Sequence, residues 1–150
     1  MKVLAIESSC DDTSFAVVND DKKVDLHEII NHRKFHHEHG GVVPEMAARQ
    51  HLDIMDHLSK FQKKINFANI DAIASTYGPG LIGGLIVGSS FAKGLALSHQ
   101  KKIIPINHLQ AHLLSPRLVS KLSFPYLCLL VSGGNTAIVL VKSARKFITL

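Results

Sequence analysis

Two imidazoles stand four residues apart in His108-Leu109-Gln110-Ala111-His112. On a helix this spacing puts their Cβ atoms about 6 Å apart on one face, where both rings can reach a single metal ion. With 10 histidines in the chain, a chance pair on a surface helix is the plain alternative. A zinc peptidase of the His-Glu-x-x-His kind is disfavoured, because Leu109 occupies the place of the general base. A metal with an open coordination position also needs a further ligand, commonly a carboxylate, and no Asp or Glu follows Asp71. That ligand is expected upstream of the pair or outside this sequence.

Leu130-Val131-Ser132-Gly133-Gly134 ends an apolar run with a hydroxyl and two glycines. Such a turn exposes backbone N–H groups that an anion can approach, although many ordinary hairpins look the same. Ser8-Ser9-Cys10-Asp11-Asp12-Thr13 is its counterpart near the start of the chain, polar enough for a phosphate-bound cation or water, with local capping by Asp11 as the alternative. Gly78-Pro79-Gly80-Leu81-Ile82-Gly83 spells G-x-G-x-x-G, but no acid stands about 20 residues on to bind a ribose, and Gly84 replaces the lysine of a P-loop. A structural turn is expected there. His36-His37-Glu38-His39 reads as a solvated loop, and His51 and His57, six apart, share no helix face.

The elements that must position these groups follow from periodicity. Residues 2–7, 13–18 and 23–31 alternate as strands separated by turn formers, a β-meander. Pro44 suits a first helical turn, and Ala48, Leu52, Met55, Leu58, Phe61 and Ile65 recur at three- and four-residue steps, predicting a helix over 44–65. A strand at 70–75 and a helix apolar almost all round at 81–97 come next. Gly80, just before that helix, and Gly84, Gly88, Ala92 and Ala96 within it form a small-residue row suited to close backbone approach. A strand at 102–106 leads into a helix from 108 to about 117. The order is βββαβαβα. After Pro125 the opening design repeats: apolar strand, small polar turn, and Thr at the start of another strand. The expected fold class is therefore α/β, of the actin/sugar-kinase/Hsp70-like superfold, with one RNase-H-like βββαβαβα unit over 1–122 and the first strands of a second, incomplete unit over 123–150.

The composition allows a sizeable core, with 46% hydrophobic and 19% charged residues in 150. No early apolar run reaches the roughly 7–15 residues of a secretory signal, and residues 81–92 hold three glycines and fall short of the ~20 that span a bilayer. With only two cysteines, in different strands, a reducing cytoplasmic setting is expected. Charge divides unevenly. Residues 1–71 hold 9 Lys/Arg against 12 Asp/Glu, whereas residues 72–150 hold 8 Lys/Arg and no acid. The second half should attract anions, a nucleotide or RNA among them.

Five motifs in order, Ile6-Glu7-Ser8-Ser9-Cys10-Asp11-Asp12-Thr13, His39-Gly40-Gly41-Val42-Val43-Pro44-Glu45, Gly78-Pro79-Gly80-Leu81, Asn107-His108-Leu109-Gln110-Ala111-His112 and Val131-Ser132-Gly133-Gly134, resemble the tRNA N6-adenosine threonylcarbamoyltransferase family, formerly called O-sialoglycoprotein endopeptidases. The resemblance spans this chain and the amino-terminal half of a typical member. It implies transfer of a threonylcarbamoyl group from threonylcarbamoyl-AMP to N6 of the adenosine 3′ of certain tRNA anticodons. It further implies one Fe or Zn ion held in part by His108 and His112, a donor site lined by Leu130, Val131, Ser132, Gly133 and Gly134, and accessory protein subunits. Ala111 and Asn135 depart from the Gly and His frequent in the family. The third metal ligand, an Asp, and much of the adenine pocket are expected in the other half. A truncated form with little activity of its own is thus expected. A non-catalytic scaffold paralogue and an ATP-dependent phosphotransferase of the same superfold are the alternatives.

Overall fold

The computed structural model describes residues 1–31, 36–37, 39–62, 65–132, 134 and 136–150, the stretch 56–62 through its backbone alone. They form two compact units, Met1–His108 and Leu109–Leu150.

The first unit is built on a five-stranded sheet in the order β3-β2-β1-β4-β5. Strands β1 (Lys2–Glu7), β2 (Asp12–Asn19) and β3 (Val24–Asn31) form the expected antiparallel meander. β4 (Ala72–Gly78) lies parallel to β1, with Val3 opposite Ala72 and Ile6 opposite Ser75. β5 (Lys102–Asn107) extends the parallel set. The carboxyl ends of β1, β4 and β5 therefore point the same way, as in other open α/β sheets whose sites lie at that edge.

Helix α1 (Pro44–Gln62) begins at Pro44, whose missing N–H costs nothing in a first turn. Its buried residues are Ala47, His51, Ile54 and Met55, a stripe at steps of four, three and one. The stripe expected through Leu52 is displaced by one position: Leu52 is 61% exposed and His51 takes the inward place. Leu58 and Phe61 lie outside the described side chains, and Ile65 is buried beyond the end of the helix. A 3-10 turn at Phe67–Asn69 delays β4 by two residues from the expected start.

Helix α2 (Ile82–Ser98) buries Gly84, Leu85, Gly88, Ala92, Leu95 and Ala96, while Ile86 and Leu97 face solvent. One face, not the whole circumference, is covered, because the helix lies on one side of a single sheet. Leu4, Ile6, Phe15, Ile54, Ile73, Ala92 and Leu95 meet in the core beneath it. The small-residue row does permit close approach: a Cβ on Gly84 would sit 2.3 Å from the Ser8 carbonyl oxygen, and one on Gly88 2.0 Å from Ser8 Oγ.

The helix expected from 108 to about 117 is two: α3 (His108–Leu114) and α4 (Pro116–Val119). Pro116 cannot continue a helix as an interior residue and starts a new one instead. In the second unit β6 (Tyr126–Val131), β7 (Thr136–Ser143) and β8 (Lys146–Thr149) form an antiparallel sheet. Val139 and Val141 face inward with Leu113, Tyr126, Cys128 and Leu130, and the Tyr126 hydroxyl donates to the Leu113 carbonyl at 2.8 Å. Leu127, Leu129, Val131 and Ile138 face outward and are exposed. The β6–β7 hairpin repeats the dimensions of β1–β2: six residues, a four-residue connection, then eight.

Candidate functional site

Three parallel strands deliver three polar residues to one edge of the first sheet. Glu7 closes β1, Thr76 lies near the end of β4, and His108 follows β5. The Thr76 hydroxyl donates to Glu7 Oε2, the Ser9 N–H donates to Glu7 Oε1 at 2.6 Å, and His108 Nδ1 lies 3.1 Å from Glu7 Oε2. Ser9 Oγ is a further 3.0 Å neighbour of His108 Nδ1. Burial pushes the Glu7 carboxyl up, but hydrogen bonds from Ser9, Thr76 and His108 together outweigh it and hold the group below its ordinary value. Glu7 is thus a carboxylate. As an acceptor it receives a hydrogen bond from Nδ1–H of His108, which leaves the ring lone pair on Nε2. A carboxylate behind a histidine in this way is the usual arrangement for orienting a metal ligand.

The loop carrying Ser8 and Ser9 is clamped from two sides. Leu81 N–H donates to the Ser9 carbonyl at 2.7 Å, and a Cβ on Gly80 would stand 2.5 Å from that same oxygen. Ser8 Oγ donates to the Gly84 carbonyl at 2.9 Å. So Gly80 and Gly84 lie against the β1–β2 turn, whereas a Cβ on Gly83 would meet Ala48 of α1. From α1, His51 reaches the same turn: its Nε2 lies 3.1 Å from the Cys10 carbonyl oxygen and its Nδ1 2.7 Å from Thr13 Oγ1. A carbonyl only accepts, so Nε2 carries the proton and Nδ1 accepts from Thr13. Burial pushes the His51 pKa down, although the carboxylates of Glu7, Asp11 and Asp12 pull the other way.

Glu7, Thr76 and His51 do not stand out in the sequence. Glu7 reads there as the polar end of a strand, and His51 gains its role only when α1 crosses the turn. No periodic signal marks His51, because the apolar stripe read from the sequence runs through Leu52.

Both histidines of the expected pair lie on α3, one turn apart, with His108 half-buried and His112 exposed. Leu130 and Val131 end β6, while Ser132 and Gly134 are exposed in the connection to β7. Gly133 and Asn135 lie outside the described residues, as does Glu38. His36, expected in a solvated loop, is 4% exposed, and its Nδ1 accepts from Val43 N–H at 3.4 Å. Among the described residues no three His, Cys, Asp or Glu side chains gather as a metal-binding group.

A 3-2-1-4-5 sheet with a polar turn between its first two strands places the chain in the actin/sugar-kinase/Hsp70-like superfold. Similar folds occur in YeaZ from Pseudomonas aeruginosa (TM-score 0.59, 17% identity, all of this chain and 64% of that one) and in a ROK family protein from Streptococcus pneumoniae TIGR4 in complex with sucrose (0.58, 16%, 97% and 47%). Residues 24–150 match the family described as TsaD, tRNA N6-adenosine threonylcarbamoyltransferase. The protein of that name from Wolbachia sp. subsp. Drosophila simulans (strain wRi) is 46% identical over 99% of this chain and 45% of its own length. That from Rickettsia prowazekii (strain Madrid E) is 48% identical over 97% and 38%. The chain belongs to the tRNA N6-adenosine threonylcarbamoyltransferase family, and it spans less than half the length of these relatives. Among the described residues no helix is long and apolar enough to cross a membrane.

Proposed function

We propose that this chain takes part in moving a threonylcarbamoyl group from threonylcarbamoyl-AMP to N6 of the adenosine 3′ of a tRNA anticodon. In that reaction N6 bonds to the carbamoyl carbon, the bond from that carbon to the AMP phosphate breaks, and one N6 proton is released. The observation that carries the reading is the Glu7 carboxylate on Nδ1 of His108, with His112 one helical turn further along α3. His108 and His112 are the residues that would hold one Fe or Zn ion per subunit. Such an ion, when bound, supplies Lewis acidity toward the carbamoyl carbonyl. Glu7 fixes the tautomer and direction of His108, and Thr76 and Ser9 keep Glu7 ionised and in place. Leu130, Val131, Ser132, Gly133 and Gly134 form the donor site, where N–H groups and the Ser132 hydroxyl meet the adenylate phosphate. The matching hairpin dimensions support a duplicated design, with 1–122 as the first RNase-H-like domain and 123–150 as the opening strands of the second. A cytoplasmic setting and accessory subunits complete the reading.

Two measurements test it. Loaded with zinc together with the remaining part of the Wolbachia relative and then dialysed, the chain should retain about one metal per molecule, and His108→Ala and His112→Ala should each lose it with an unchanged circular dichroism spectrum. Threonylcarbamoyl-AMP, tRNA and the chain, with and without the remaining part of the Wolbachia relative, are then incubated and the nucleosides separated. Modified adenosine should form in the complemented mixture and disappear with either variant. Full product from both variants would remove the histidine pair from the reaction, and no product in any mixture would refute the transferase reading.

A further inference from the structure

Leu109–Leu150 carries five Lys or Arg residues and no Asp or Glu. Three of them crowd one hairpin: Lys142 in β7, Arg145 in the turn and Lys146 at the start of β8, all exposed. Ser143 pairs with Lys146, and the Arg145 N–H donates to Ser143 Oγ at 3.3 Å, so strand pairing and the Ser143 side chain order the turn that carries them. The first unit treats its cations differently. There Lys2 and Lys23 meet Asp25, and Arg49 meets Glu45. All three of these pairs lie within Met1–His108. Neighbouring like charges in one hairpin repel, and an external polyanion would offset that repulsion.

We infer that the β7–β8 hairpin, through Lys142, Arg145 and Lys146, is a docking surface for the phosphodiester backbone of RNA. This rests on the transferase reading, which makes tRNA the substrate. Arg145 offers the planar fork that binds phosphate bidentately, and the two lysines add point charges. Cations placed in this way set position along the strand and carry no base information.

The 150-residue chain is tested by fluorescence anisotropy with an unmodified tRNA bearing the target adenosine, from 50 to 200 mM salt. Removing one phosphate-binding cation should reduce the slope of log K against log salt by roughly 0.7–0.9. K142Q/R145Q/K146Q should therefore flatten the slope by about 2–3 and weaken binding at least tenfold at 50 mM salt. K142E/R145E/K146E should weaken it further. Melting temperature and threonylcarbamoyl-AMP binding should stay as in the unaltered chain. K93Q/K101Q/K102Q, an equal charge change in the first unit, should have a much smaller effect. Affinity and slope within twofold of the unaltered chain in the hairpin variants would overturn the surface, as would an equal weakening in the first-unit control. If the unaltered chain binds the donor but no tRNA, only this surface falls. If it binds neither, the transferase reading falls with it.

Discussion

Thr13 Oγ1 lies 2.7 Å from Nδ1 of His51, a buried hydrogen bond that ties β2 to α1 across 38 positions of sequence. With Nε2 donating to the Cys10 carbonyl, the ring spends both nitrogens on the turn that leads to Ser9 and Glu7. His51→Ala removes a buried hydrogen bond to Thr13 and a part-buried one to the Cys10 carbonyl and leaves a cavity, so stability should fall by about 2–4 kcal/mol in urea unfolding. His51→Gln, which can keep the donor to Cys10, should cost less. A change below about 0.5 kcal/mol for His51→Ala would show that the turn is held without it.

The same bond pair predicts a pH dependence. Burial lowers the His51 pKa in the folded chain, so the unfolded chain takes up the proton first as pH falls. This part of the stability is complete above the ordinary histidine value near 6.5 and is lost progressively below it. Melting temperature should drop from pH 7 toward pH 5, and His51→Gln should flatten that segment. An equal slope in the variant would assign the drop to other groups.

Two glycines of α2 should respond in opposite directions to alanine. Gly84→Ala sets a Cβ 2.3 Å from a backbone oxygen of Ser8 and 2.9 Å from the His51 ring, neither of which is a flexible chain end. It should destabilise by about 1–3 kcal/mol as α2 is forced off the turn. Nothing lies within 4 Å of a Cβ on exposed Gly94, so Gly94→Ala should stabilise by roughly 0.5–1 kcal/mol through helix propensity. Denaturation midpoints of both variants check the contrast.

Glu7→Gln keeps the shape of the side chain and removes its charge. Amide for carboxylate loosens control of the His108 tautomer, so zinc affinity should fall about 10–100-fold while the far-ultraviolet spectrum is unchanged. Isothermal titration with zinc measures it, and unaltered affinity would separate Glu7 from the histidine's task.

Much of this molecule can be read from local pattern. Alternation in 2–7 and 13–18, turn formers between them and the glycine row on α2 are short-range signals, and each reflects a constraint acting within a few residues. The pair His108 and His112 is legible for the same reason, since helical spacing alone puts both on one face. Pro116 shows the limit: the periodicity runs through it, but a residue without an N–H has to begin a helix of its own. What sequence leaves undecided is which polar residues meet. Glu7, Thr76 and His108 stand 69 and 32 positions apart and converge only because β1, β4 and β5 lie parallel in that order with their carboxyl ends aligned. His51 is one histidine among many until packing turns it inward and Leu52 outward. Residue type and spacing determine the elements and the chemistry they can carry. Strand order and helix rotation, settled by burying one face of each element, decide which of those groups act together.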